Sequence, residues 1–274
     1  APAPGIEISK TDRAFLDVQT QKLAAAMAEV KRPANRQFLP DVRIFYNAVR
    51  YALDHNMFYR RGDVATAKEL LIRGFKRAGQ LKAGQHPWTS ATGLVVRGYI
   101  SQLDDSVQPY GMVVPENYTP RLHPRWRLDV WLHGRNNQLS EIRFLGDRLK
   151  NKGQFTPRDT IVLHPYGRFC NAYKFAGEVD VLEALQHVQT QYPIDRQRIA
   201  LRGFSMGGAG AWHIGAHHVG KWVVVSPGAG FVDTAIYQNI FAKKPKPTWW
   251  EQKLWHLYDV PPIAANFFNT TIVA

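Results

Sequence analysis

Apolar residues recur every three to four positions through residues 10–83, and each run holds one face of a helix. Leu16, Leu23, Met27 and Val30 form the first stripe, Val42, Phe45, Tyr46, Val49 and Leu53 the second, and Val64, Ala67, Leu70, Leu71 and Phe75 the third. Three amphipathic helices are therefore predicted. Breakers fall between them: Pro33 and Pro40 separate the first two, and Arg61-Gly62-Asp63 precedes the third, with Asp63 placed to act as its N-cap. Gly79, Gly84 and Pro87 close the region. From about residue 90 the period shortens. Leu94 to Ile100 and Tyr110 to Val114 read as an early pair of strands, and Leu128 to Leu132, Thr160 to Leu163, Arg198 to Leu201 and Trp222 to Val225 as later, buried ones. Helical segments around 139–150, 177–191 and 207–218 alternate with the later strands, a rhythm that implies a parallel sheet with crossover helices. The predicted organisation is a helical N-terminal region over 1–90 followed by an α/β domain over 91–274.

Composition narrows the function classes. The 274 residues are 45% hydrophobic and 21% charged, which suits a folded globular chain and excludes general disorder. Apolar runs such as Trp222 to Val225 are far shorter than the roughly 18 residues a bilayer crossing needs, so no membrane partner is expected. A net charge of +13 would suit a nucleic-acid binder, but the basic excess is spread along the chain. Neither an arginine-rich arm, zinc-finger spacing nor an RNP-like aromatic strand accompanies it, so a basic surface is the reading and no nucleic-acid partner is expected. Cys170 stands alone, which rules out an intramolecular disulfide and a multi-cysteine metal site. The first residues, Ala1-Pro2-Ala3-Pro4-Gly5, read as the start of a chain after signal cleavage and point towards a periplasmic or extracellular location over a cytoplasmic one.

The strongest chemical signal is Gly203-Phe204-Ser205-Met206-Gly207-Gly208. A bare Gly-x-Ser-x-Gly can be an inert glycine-rich turn, but here a short buried strand, Arg198-Ile199-Ala200-Leu201, runs into it and a small-residue helix, Gly208 to Ala216, runs out. Strand, sharp turn and helix make a nucleophile elbow, which presents the Ser205 hydroxyl at a helix N-terminus. Acyl transfer also needs backbone donors for the developing oxyanion. Met206 N–H is one by position, and the loop after Val130-Trp131-Leu132 offers a second at Gly134 or Arg135, unless His133 and Gly134 only turn the chain. His164-Pro165-Tyr166-Gly167-Arg168 and the residues up to Phe175 follow a strand at the carboxyl edge, where open α/β sheets bind ligands. Arg168, Asn171 and Tyr173 are the candidate substrate-pocket residues there, the alternative being a loop that packs its aromatics on the elbow helix.

The stretch from Tyr110 to Gly230, with "DVWLHGR", "HPYGRFCNAYKFAGEVDVLEAL", "YPIDRQRIALRGFSMGGAGAW" and "SPGAGF", resembles bacterial α/β-hydrolases of the prolyl-oligopeptidase-like and feruloyl-esterase-like group. The resemblance implies an α/β-hydrolase sheet and a serine hydrolase with a Ser-Asp-His triad, acting on an ester or peptide and requiring no cofactor. It leaves the substrate open, because the fold hosts many activities and silent relatives. In such hydrolases the acid follows the seventh strand and the base the eighth. Thr270-Thr271-Ile272-Val273-Ala274 reads as the opening of that seventh strand, so the expectation is a C-terminally incomplete domain, its sheet edge covered by a further segment or by self-association. The in-chain alternative pairs Asp233, after the sixth strand, with His256 in the aromatic segment Trp249 to Tyr258. His213, His217 and His218 lie on the helix behind the nucleophile and are expected to be core or surface residues. Although the chain has 10 histidines, no His-Glu-x-x-His or comparable spacing is evident, so no metal is expected. Glu178, Asp180 and Glu183 open the helix near 177 and read as dipole-complementing acids, with Asp180 structural. The expected activity is cleavage of a small-molecule ester, or a peptide, through an acyl-enzyme on Ser205; the competing expectation is a catalytically silent binding module.

Overall fold

The computed structural model describes residues 3–120 and 125–274; Ala1 and Pro2 of the N-terminal stretch read above lie outside them. The chain divides into two compact units, Ala1–Arg121 with Asn136–Asp159 and Leu122–Arg135 with Thr160–Ala274. In the first, α1 (Lys10–Ala28), α2 (Pro33–Arg36), α3 (Pro40–Asp54) and α4 (Gly62–Lys82) precede an antiparallel pair, β1 (Gly93–Ile100) and β2 (Val107–Val114). The three long helices are those the periodicity predicts. Their stripes supply the core: Leu16, Leu23, Val42, Phe45, Val49, Leu70 and Leu81 are fully enclosed, and each buried aliphatic side chain of this size contributes about 1.5–3 kcal/mol. Asp63 is not the cap of α4. It lies inside the first turn and its Oδ2 accepts from the amides of Tyr59 (2.7 Å) and Arg60 (2.9 Å), which pins the incoming loop instead of the helix end.

A buried polar cluster fixes α3 against β1. Asp41 Oδ1 accepts from Arg97 Nε and from Gly98 N, both at 2.8 Å, and Oδ2 accepts from Trp88 Nε1 at 2.8 Å. Asp41 and Arg97 are each 1% exposed, so both charges are neutralised inside the unit. The helix α5 (Glu141–Arg148), capped by Ser140, completes this unit.

The second unit contains β3 (Trp126–Leu132), β4 (Thr160–Pro165), α6 (Ala176–Gln191), β5 (Ile194–Phe204), α7 (Met206–His217), β6 (Val224–Gly228), α8 (Thr234–Tyr237), α9 (Trp249–Trp255) and β7 (Thr271–Ile272). Its strands lie in the order β4-β3-β5-β6-β7 and every adjacent pair is parallel. Leu128, Val130, Leu163, Leu201 and Val225 are all 0% exposed, the near-continuous burial of a sheet covered on both faces. Among these strands Asp129, itself fully buried, accepts from Arg127 (2.7 Å) and from Arg202 across the β3–β5 ladder (2.6 Å). A parallel sheet with crossover helices and a sharp turn after its central strand is the α/β-hydrolase arrangement. No helix among the described residues is long and apolar enough to cross a membrane.

Candidate active site

Ser205 occupies the turn between β5 and α7 with φ 56° and ψ −117°, a conformation that costs a non-glycine residue on the order of 1–3 kcal/mol. The surroundings explain how the turn is held. Ser205 N donates to Gly228 O on β6 at 2.8 Å, and Ala209 N closes the first turn of α7 on Ser205 O at 3.0 Å. The glycines on either side are there because backbone comes too close for a side chain: a Cβ on Gly203 would lie 2.2 Å from Gly207 O, and one on Gly207 would lie 2.0 Å from Leu132 O. The strain turns Ser205 outward, where the residue is exposed. Phe204 beside it is 54% exposed and gives the site an apolar rim.

The loop after β3 reaches the serine. At Gly134 a Cβ would lie 3.8 Å from Ser205 Cβ and 3.7 Å from Phe204 O, so this backbone passes directly beside the nucleophile, as the sequence reading requires of an oxyanion loop. Arg135, next in the chain, is exposed. The His133 ring bridges Gly134 O and Tyr166 O, each at 2.9 Å, and fixes the loop to the end of β4. Met206 N–H is the first amide of α7, one of the donors that a helix N-terminus leaves without an intrahelical partner. Met206 and the Gly134 backbone thus both lie beside the exposed Ser205.

The loop 166–175 differs from expectation. Tyr173 does not line a pocket: it is 0% exposed, its OH donates to His133 O at 3.2 Å, and burial holds its phenol well above the ordinary range. Asn171 serves the same loop, its Oδ1 accepting from Tyr173 N at 2.8 Å. Arg168 is half-buried. Arg168, Phe169, Ala172, Tyr173 and Phe175 all have positive φ, a concentration of backbone strain next to the serine loop. Asp180, predicted to be structural, is fully buried and accepts from Gly167 N at 2.6 Å.

Among the described residues the contacts of the in-chain acid and base lie away from the Ser205 hydroxyl: neither is hydrogen-bonded to it. Asp233 caps α8, its Oδ1 accepting from Ile236 N at 2.8 Å, and His256 is an exposed residue at the C-cap of α9. Among the described residues no hydrogen bond joins Ser205 Oγ to a histidine, or His256 to a carboxylate. A later acid, Asp259, is spent on Thr234, accepting from its N at 3.0 Å and its Oγ1 at 2.6 Å.

Three groups that the sequence reading kept apart do come together. Glu178 on α6 meets His213 and His217 on α7, with one ligand-capable atom of each lying within 4.8 Å of the others. The signal was present: His213 and His217 are four residues apart and share a helix face, the same i, i+4 spacing as in His-Glu-x-x-His. Glu178 is brought in only by the packing of α6 on α7. Burial opposes its charge, yet hydrogen bonds to His217 (2.8 Å) and His218 (3.0 Å) hold its carboxyl at about 2. Burial pushes His213 down to about 4, while the bond to Glu178 raises His217.

Residues 164–262, which contain this loop, the elbow and α9, match the family described as "Putative esterase". No curated relative matches the chain. Among solved structures it is similar to a thermostable esterase (20% identity, 49% of this chain and 40% of that one, TM-score 0.36). It is also similar to S-formylglutathione hydrolase from Staphylococcus aureus (17% identity, 67% and 78% covered, TM-score 0.43) and to a ferulic acid esterase (19%, 63% and 68%, TM-score 0.38). The match thus spans less than half the length of the thermostable esterase.

Proposed function

We infer that this protein is a serine hydrolase that cleaves carboxylic esters through an acyl-enzyme on Ser205. The observation that carries the reading is the exposed serine held at φ 56° between β5 and α7, beside the Gly134 loop. The esterase family match over 164–262 favours an ester over a peptide substrate. In the reaction Oγ adds to the ester carbonyl carbon, its proton passes to a base, and the carbonyl oxygen becomes an oxyanion held by Met206 N–H and an amide of Gly134 or Arg135. Collapse expels the alcohol, which takes the proton back, and water then releases the acid by the same steps in reverse. Phe204 supplies apolar surface for the acyl group.

The base is the part that the described contacts leave unassigned, and this favours one alternative, a binding module that keeps the elbow without turnover. One experiment separates the two. Folded protein is incubated with a fluorophosphonate and its intact mass compared with that of Ser205→Ala. A single adduct that the variant lacks, together with release of p-nitrophenol from a p-nitrophenyl ester, is the expected result. A folded protein that takes no adduct would overturn the hydrolase reading.

A further inference from the structure

We propose that Glu178, His213 and His217 bind one divalent ion of the zinc class, tying the first turn of α6 to the last turns of α7. The donor set is two imidazoles and a carboxylate, which suits zinc and its neighbours better than the all-oxygen sites of calcium or magnesium.

The geometry of His213 is the independent reason. The residue is 2% exposed, and its Nε2 lies 2.9 Å from Ala172 O. A carbonyl can only accept, so the ring proton sits on Nε2 and Nδ1 presents a lone pair. Among the described residues that Nδ1 is buried and meets no hydrogen-bond partner, a deficit that costs roughly 1–3 kcal/mol when nothing fills it. An imidazole N–H fixed on a backbone carbonyl, with the opposite nitrogen left bare, is how metal-binding histidines are oriented.

The remaining groups suit the same role. His217 Nδ1 is 2.8 Å from Glu178 Oε1 and four residues along the same helix face from His213. His218 Nε2, 3.0 Å from the same oxygen, is placed to orient the carboxylate from outside. The Tyr258 ring packs 5.0 Å from His213 and 5.5 Å from His217, covering one side, while the partly exposed His217 and His218 leave a solvent path. The ligand atoms lie within 4.8 Å of one another, and bonds near 2.1 Å set tetrahedral ligand atoms about 3.4 Å apart, so the widest pair must close by up to about 1.4 Å and the His217–Glu178 pair, at 2.8 Å, must open. The metal displaces the proton that His217 Nδ1 shares with Glu178, and that proton leaves to solvent.

His213 is eight residues beyond Ser205, about 12 Å along the helix axis, so the ion would not reach the ester. Its role would be to clamp the elbow helix, and the site stands or falls independently of the hydrolase reading.

The test uses chelator-treated protein titrated with Zn²⁺ against a chromophoric competitor and, separately, with Co²⁺, whose visible spectrum reports coordination. Expected are one equivalent bound, tetrahedral Co²⁺ bands and a thermal midpoint that rises with metal concentration. His213→Ala and the half-exposed His217→Ala should each weaken binding about 100-fold or more, while His256→Ala, on the surface, should leave it unchanged. No saturable binding, or binding undiminished in folded His217→Ala, would overturn the proposal and leave Glu178 as an ion-pair bridge only.

Discussion

Two buried polar clusters in this chain are finished in different ways. Around Asp41 every carboxylate contact is met by the protein: Arg97, Gly98 and Trp88 all donate at 2.8 Å. Around Glu178 the carboxylate is shared by two partly exposed histidines, and the most deeply buried member, His213, keeps one nitrogen without a partner among the described residues. A closed cluster can serve only as a lock, because any added group would have to displace a satisfied one. An open cluster at the edge of solvent has a position to fill. Burial of polar groups is expensive in both, and the difference is whether the protein itself satisfies every buried polar atom, which the Glu178 cluster does for its carboxylate but not for His213 Nδ1.

The contrast can be broken most forcefully at Asp41. Asp41→Ala removes the carboxylate from beside the enclosed Arg97 guanidinium and takes the acceptor from Gly98 N and Trp88 Nε1, and should lower stability by about 3–5 kcal/mol, read as a shift of the denaturant midpoint. A loss below about 1 kcal/mol would mean that water reaches the site and the lock is not closed.

A smaller effect is expected from pH on the metal-free protein. His213 titrates near 4 in the fold against 6.5 when unfolded, so its contribution is complete above 6.5 and is lost as pH falls towards 4. His217 behaves oppositely: its raised pKa contributes below 6.5 and is lost as pH rises through the folded value. Glu178, held at about 2, adds a further loss only as pH falls below its unfolded 4.5 towards that value. The cluster's contribution should therefore peak near pH 6.5. Chemical denaturation from pH 4 to 9 on wild type and His213→Phe should show the acid limb above pH 4.5 in the former alone; an identical limb in both would assign it elsewhere.

The smallest effect calibrates the other two. Tyr173→Phe removes one neutral hydrogen bond, to His133 O, from an equally buried place and should cost about 1 kcal/mol by the same denaturant assay. A cost as large as that of Asp41→Ala would show that burial, and not charge, sets the difference.

Much of the fold was legible before the structure. The three helical stripes became α1, α3 and α4, and the predicted strands became β1 to β6, because an apolar face repeats along the chain whatever it later packs against. Boundaries were less legible: β5 begins at Ile194, four residues before the strand read from the sequence, since the buried Ile194 is separated from the apolar run by the polar Asp195, Arg196, Gln197 and Arg198, the last three exposed. Two readings failed for one reason. Asp63 looked like a cap and Tyr173 like a pocket residue on local context, whereas their roles are set by what lies opposite, the amides of 59 and 60 and the carbonyl of His133.

What the sequence determined by itself is the elbow. Strand, serine and helix lie within a few residues of one another, so their spacing fixes the turn and the glycines it demands. The tertiary structure alone decided the polar clusters, whose partners stand 56 residues apart at Asp41–Arg97 and 39 apart at Glu178–His217. A hydrogen bond is specified to a few tenths of an ångström by two side chains whose chain separation carries no period, so no local pattern encodes it, and only the packing of α3 on β1 or of α6 on α7 brings the atoms within reach.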